Sequence, residues 1–208
     1  MAKLRQAHVL SLEGIRNLPL PELEQLVRSS GYFRQKAQRL KGFVEFVDAK
    51  YEASLERMFA TPTHVLRAEL LMQKGIGMET ADSILLYAGL HPVFVVDAYT
   101  RRIFERHGMV NASAKYDEIR LLVEQALLNE SLPDGPIVAR SRPAVHPPST
   151  MSTAQQTIRT RVYNEMHGLL VQVGKHYCDK SRPNCDECPL RELLSTRQSA
   201  RLRAAGRD

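Results

Sequence analysis

The sequence predicts an all-α chain, and three observations predict it. Apolar residues recur at helical spacing through most of the length. The single β-branched and aromatic run, Val93-Phe94-Val95-Val96, has no second run of similar character to pair with. No repeat with a period of roughly 20–50 residues is visible, which argues against a solenoid. With 208 residues, 43% of them hydrophobic, the chain can form one domain or two small ones sharing a core.

The elements follow in order. Pro21-Glu22-Leu23-Glu24-Gln25-Leu26-Val27 opens with proline in a first turn and carries early acids, as helix N-termini prefer, and Gly31 ends that helix. Lys36 to Val47 has apolar residues at 37, 40, 43, 44 and 47, a helical stripe. Thr63 is placed to cap a helix holding Val65, Leu66, Leu70 and Leu71. After a glycine turn, Ser83 to Gly89 continues apolar. Val93 to Val96 reads as a buried extended connector into the next helix. Tyr116 to Asn129 puts Ile119, Leu122, Val123 and Ala126 on one face.

Residues 131–156 differ. Pro133, Pro136, Pro143, Pro147 and Pro148 stand among serines and threonines without periodicity, as in a flexible insertion. Arg161 to Val173 is helical again and leads into the cysteines, and Arg197 to Asp208 is an Arg-rich tail. The organisation is therefore a helical domain over 1–130, an insertion over 131–156, a C-terminal helix and cysteine loop over 157–195, and a basic tail over 196–208.

Lys and Arg outnumber Asp and Glu by 29 to 23, a net charge of +6 that permits a polyanion partner. No apolar run approaches the ~18–20 residues of a membrane span, so no membrane partner is expected. Met1-Ala2-Lys3-Leu4-Arg5 shows no secretory signal, which makes the cytoplasm the expected compartment, with nucleoid association if the source is bacterial.

Three stretches carry chemistry. In Lys74-Gly75-Ile76-Gly77-Met78-Glu79-Thr80-Ala81, alternate glycines let the backbone turn with positive φ and admit a close neighbour. The free N–H groups of the next helix would favour an anion, and Lys74 adds charge. Taken alone, the motif more often describes an ordinary helix-ending turn. Asp97 directly precedes an amphipathic helix and suits an N-cap. A carboxylate held there beside Val95 and Val96 also suits stabilising positive charge or activating water. The third stretch, Cys178-x6-Cys185-x2-Cys188-Pro189, holds all three cysteines of the chain. Their odd number and clustering favour a metal over a disulfide framework, and the Cys-Pro ending is that of iron–sulfur runs.

Taken together and in this order, "LLMQKGIGMETADSILLYA", "VFVVDAYTRR" and "HGLLVQVGKHYC", with "SGYFRQKAQRL" ahead of them, resemble the endonuclease III superfamily of DNA glycosylases, the helix-hairpin-helix, Gly-Pro-Asp group. The similarity spans about residues 20 to 190 apart from the proline-rich insertion. It implies the helix-hairpin-helix glycosylase fold with a C-terminal iron–sulfur loop, and excision of a damaged base flipped out of double-stranded DNA by a monomer. It makes Asp97 the essential carboxylate. It makes Lys74, Gly75, Ile76, Gly77, Met78 and Thr80 the phosphate-binding hairpin, with a monovalent cation on its carbonyls. Lys180 and Arg182 become DNA contacts of the loop, and Cys178, Cys185 and Cys188 ligands of a [4Fe–4S] cluster.

The chain departs from the family pattern in three places. Glu79 occupies the position of the lysine with which bifunctional members form a Schiff base, which implies a monofunctional, water-using enzyme. A Gly-Ile-Gly-x-Glu hairpin resembles the 3-methyladenine glycosylase branch, so an alkylated purine is the expected substrate. Leu194 stands where the family's fourth cluster cysteine would be, which leaves three protein thiolates and favours an iron–sulfur cluster with a foreign fourth ligand over a vestigial loop or another metal. The sequence also begins inside the helix that follows the family's first helices, so those N-terminal helices are expected to be lacking. The alternatives are a truncated, non-catalytic DNA-binding homologue and a bifunctional glycosylase and abasic-site lyase that uses another lysine.

Overall fold

The computed structural model describes residues 2–128 and 157–194. The proline-rich insertion and the Arg-rich tail expected from the sequence lie outside them. The described residues are helical with no strand among them, so the all-α class holds. Packing divides the chain at Gly77–Met78, inside the glycine turn, a boundary that composition does not mark. No described helix is long and apolar enough to cross a membrane.

The first unit holds α1 (Ala2–Gln6), α2 (Leu12–Asn17), α3 (Leu20–Val27), α4 (Phe33–Tyr51), α5 (Leu55–Phe59) and α6 (Thr63–Leu71). Pro19 and Pro21 bracket the start of α3, and a 3-10 turn over Arg28–Ser30 carries the chain to Gly31 at φ +66°. Ala37, Val44 and Val47 of α4 are buried as the stripe requires, the first two against Leu23 and Val27 of α3. Lys41 on α4 donates to the carbonyls of Arg16 (2.9 Å) and Leu18 (2.5 Å), closing the open end of α2. A two-pronged pair from Arg16 to Asp48, both contacts 2.6 Å, ties α2 to α4. Thr63 does not cap α6. It is the first helical residue, and Pro62, with its fixed φ of −52°, occupies the cap without a side-chain hydrogen bond.

The second unit holds α7 (Met78–Ser83), a π-helical turn (Ile84–Ala88), α8 (Ala98–Arg106), α9 (Tyr116–Ala126) and α10 (Ile158–His176). Val93–Val96 runs extended and buried between the π turn and α8. A buried strand-like segment without a sheet must satisfy its N–H groups elsewhere. Here side chains do so: Phe94 N–H donates to Glu124 (2.9 Å) and Val96 N–H to the Tyr116 hydroxyl (3.2 Å), both from α9. On α9, Ile119 and Val123 are buried while Leu122 is 39% exposed, so the apolar face is narrower than the sequence suggested.

Phe94 sits at the centre of this core, edge-on to Tyr163 with ring centroids 5.8 Å apart. Phe94→Ala should cost about 3–5 kcal/mol, since the connector is fixed too well for the cavity to collapse. A chemical-denaturation midpoint close to that of the wild type would show instead that the connector is not a core element.

Candidate active site

Asp97 is the N-cap of α8. Its backbone is extended (φ −94°, ψ −178°) and its Oδ1 accepts a 2.7 Å hydrogen bond from the Thr100 N–H. The carboxylate is largely buried, with its side chain 13% exposed. Its Oδ2 lies 3.7 Å from Nε2 of His167, on α10. The Nδ1 of the same ring is hydrogen-bonded to the hydroxyl of Tyr87, from the π turn. His167 Nε2 and Thr100 Oγ1 are buried with no hydrogen-bond partner of their own. Three elements therefore converge on one acid.

The electrostatics follow from this packing. Burial pushes the Asp97 carboxyl upward, but the His167 imidazole and the Thr100 N–H outweigh it and hold the group below the ordinary carboxylate range. The Tyr87 phenol is pushed up to about 12, first by burial and then by the charge of Asp97. Glu79, in the first turn of α7, is exposed at the residue level. Its carboxyl is nevertheless raised, first by the partial burial of the group and then by the Asp97 charge. Asp97 and Glu79 are thus electrostatic neighbours. A fixed, ionised carboxylate at the edge of a low-dielectric core can stabilise a developing cation or orient a water.

His167 and Tyr87 lie inside two of the stretches that carry the resemblance, but the sequence gave neither a role. The one available signal is spacing: Tyr163, His167, Leu170 and Gly174 form the buried stripe of α10, and His167 is a ring with two polar atoms on it. Gly174 has a packing reason, because a Cβ there would overlap the Tyr99 ring of α8.

The hairpin residues divide. Gly75 adopts φ +87°, as a left-handed turn requires. The Arg39 side chain lies against it where a Cβ would stand, and Ile76 N–H donates to the Gln73 carbonyl (3.1 Å). Gly77 differs from expectation: its φ is not positive and a Cβ would meet open space. One left-handed residue suffices for this turn. Lys74 is exposed, and it lines a groove of about 880 Å³ with Arg39, Phe43, Phe46, Lys50 and Ile76. Met78 and Thr80 are exposed at the start of α7.

The cysteine loop is organised by two arginines of α8. Arg102 donates to the carbonyls of Cys178 (2.7 Å) and Gly174 (3.2 Å), and Arg106 to those of Asp179 (2.6 Å) and Lys180 (2.8 Å). Arg106 also lies 3.2 Å from the Cys178 sulfur. The Asp179 carboxylate accepts from the N–H groups of Arg182 and Ser181, which lower its pKa well below the ordinary range. Burial and the neighbouring charges of Cys178 and Cys188 push the Cys185 thiol up, so the three sulfurs feel one another. Among the described residues, though, no three metal-binding side chains close around a common point. Lys180 and Arg182 are exposed on the loop.

The family model described as HhH-GPD superfamily base excision DNA repair protein matches residues 1–127. The chain belongs to this superfamily. Among HhH-GPD relatives, a "Putative DNA repair glycosylase" of Methanocaldococcus jannaschii is 37% identical over 192 residues, covering 91% of this chain and 73% of that protein. The structure of H. pylori 3-methyladenine DNA glycosylase bound to 1,N6-ethenoadenine matches with TM-score 0.64 and 29% identity, over 84% of this chain and 74% of that one. A non-covalent endonuclease III–DNA complex matches with TM-score 0.64 over 93% of this chain and 72% of that one; at 22% identity it shows the shared HhH-GPD fold alone.

Proposed function

We propose that this HhH-GPD chain is a DNA N-glycosylase of base excision repair, using water and no enzyme amine to release the base. One observation carries this: the largely buried Asp97 carboxylate is fixed by the Thr100 N–H and faced by His167, and its electrostatic neighbour on α7 is Glu79, an acid that cannot act as an amine. As the C1′–N bond of a flipped nucleotide breaks, its electron pair leaves with the base and positive charge spreads over C1′ and O4′. The Asp97 carboxylate stabilises that charge. Water then adds to C1′ and gives up a proton, leaving an abasic sugar in an uncut strand. An alkylated purine is the substrate favoured by the Gly75-Ile76-Gly77-Met78-Glu79 hairpin, and the ethenoadenine held by the H. pylori neighbour supports it.

The chain binds the duplex as a monomer. Backbone amides at Gly75, Ile76 and Gly77, with Lys74, Met78 and Thr80, would hold phosphates, and the hairpin carbonyls a monovalent cation. Lys180 and Arg182 would add contacts from the loop. Such contacts position the duplex and do not choose the base.

The cysteine loop offers donors for three corners of a [4Fe–4S] cluster, three free thiols on one loop, although among the described residues they do not close around one point. Cys178, Cys185 and Cys188 would each bind one iron, and Leu194 offers no fourth donor. The group would supply a structural staple, and no step of base release passes through it. Anaerobically purified protein should carry iron and acid-labile sulfide, and Cys178→Ser should lose both. Iron-free protein that is folded and stable would show that Arg102 and Arg106 suffice to hold the loop.

A base-release assay tests the whole proposal. Duplexes carrying 3-methyladenine, 1,N6-ethenoadenine, uracil, oxidised pyrimidines or mismatches are incubated with the chain, then treated with alkali to cut at abasic sites. Alkali-dependent cleavage is expected on the alkylated purines. Strand cutting without alkali would favour the bifunctional alternative, and duplex binding with no release from any lesion the non-catalytic one.

A further inference from the structure

We propose that Tyr87 and His167 form a positioning pair that aims a fixed proton donor, His167 Nε2–H, at the Asp97 carboxylate. The proposal rests on Asp97 being the catalytic acid, and it adds two residues to which the sequence assigned no role.

The geometry leaves few options for the ring. A carboxylate only accepts, so a lone pair on Nε2 facing Oδ2 at 3.7 Å would repel it in a buried setting. The Tyr87 hydroxyl, which remains protonated throughout the neutral range, can donate to Nδ1. In the neutral ring that places the proton on Nε2, and in the cationic ring both nitrogens carry one and the hydroxyl accepts instead. Either way a proton faces Asp97. The ring cannot turn away freely, since it packs edge-on to Phe94 with centroids 6.4 Å apart. Its buried Nε2 has no other partner, and an unpaired buried donor is costly unless it serves the acid in front of it.

The groups that face the Asp97 carboxyl come from each neighbouring element. Glu79 of α7 carries like charge, Tyr87 of the π turn is neutral, His167 of α10 supplies the donor, and Thr100 on α8 supplies its N–H. From α9, Glu124 and Tyr116 hold the connector backbone at Phe94 and Val96. Only His167 and Thr100 favour the ionised acid among these. Replacing His167 therefore leaves Glu79 and burial less opposed, and Asp97 must protonate at higher pH.

The test has an arm that needs no turnover. The Asp97 carboxyl is titrated by carbon-13 NMR in wild type, His167→Leu, His167→Gln and Tyr87→Phe. The expected result is an upward shift in His167→Leu, partial return in His167→Gln, whose amide can still donate, and a smaller upward shift in Tyr87→Phe. An unchanged Asp97 titration in all three would overturn the proposal. If His167→Leu does not fold, Tyr87→Phe decides, because Tyr87 is 41% exposed and its loss leaves the core intact. In the kinetic arm, kcat should fall roughly tenfold or more in His167→Leu with KM little changed, and the acid limb should move with the titration. A wild type that releases no base would sink the glycosylase reading while the NMR arm still judged the pair.

Discussion

Asp97→Asn is expected to lower base release roughly 10³-fold or more while duplex binding stays near the wild-type level. The substitution separates charge from structure. Asparagine caps a helix about as well as aspartate, so the bond from the Thr100 N–H and the start of α8 should survive. Asp97→Ala is the contrasting variant, since it also gives up ~1 kcal/mol of capping. Binding should persist because phosphate contacts are assigned to the hairpin and the cysteine loop. The direction of the pKa shift adds a second readout. The folded Asp97 ionises below its ordinary value, so its favourable contacts are present above the unfolded value and lost as pH falls through the folded one. Wild-type activity should therefore hold into acid until Asp97 itself protonates. Base release that persists undiminished in Asp97→Asn would remove Asp97 from the chemistry.

Much of this was legible in the sequence because the signals were local. A helical stripe gave α4, and Asp97 ahead of an amphipathic helix gave the cap, whereas its role as the acid rests on the family resemblance and is part of the proposed function. The absence of a partner for Val93–Val96 gave the buried connector. What escaped was non-local. Tyr87 and His167 are 80 positions apart and meet only because a π turn and α10 share a core. A histidine on a buried stripe is, in sequence, no different from one that fills space. Gly77 misled because a glycine permits a left-handed turn without requiring one, and only Gly75 uses it. Thr63 misled because Pro62 already fixes the entry to α6. The arginines that order the cysteine loop were invisible for the same reason as His167: Arg102 and Arg106 reach residues more than 70 positions away.

Borohydride trapping on abasic DNA should give only background adduct with the wild type and at least about tenfold more with Glu79→Lys. A Schiff base needs a neutral amine to attack C1′, expel its oxygen and form an imine that borohydride reduces to a stable bond. Glu79 cannot do this, and it stands where the Asp97 charge is felt. A lysine there would meet the same carboxylate as an opposite charge. That favours the protonated amine, so the gain should be modest at neutral pH and grow as pH rises. The variant also trades an acid for a base in the first turn of α7, costing about 0.3–1 kcal/mol of helix-dipole interaction, too little to unfold the unit. Glu79→Gln separates the two effects: it removes the repulsion on Asp97 without adding an amine, and should trap no better than wild type. Strong trapping by the wild type would mean that another lysine reaches the sugar. Lys74 and Lys175, both exposed, would then be the residues to replace, and the water-based mechanism would give way to a lyase.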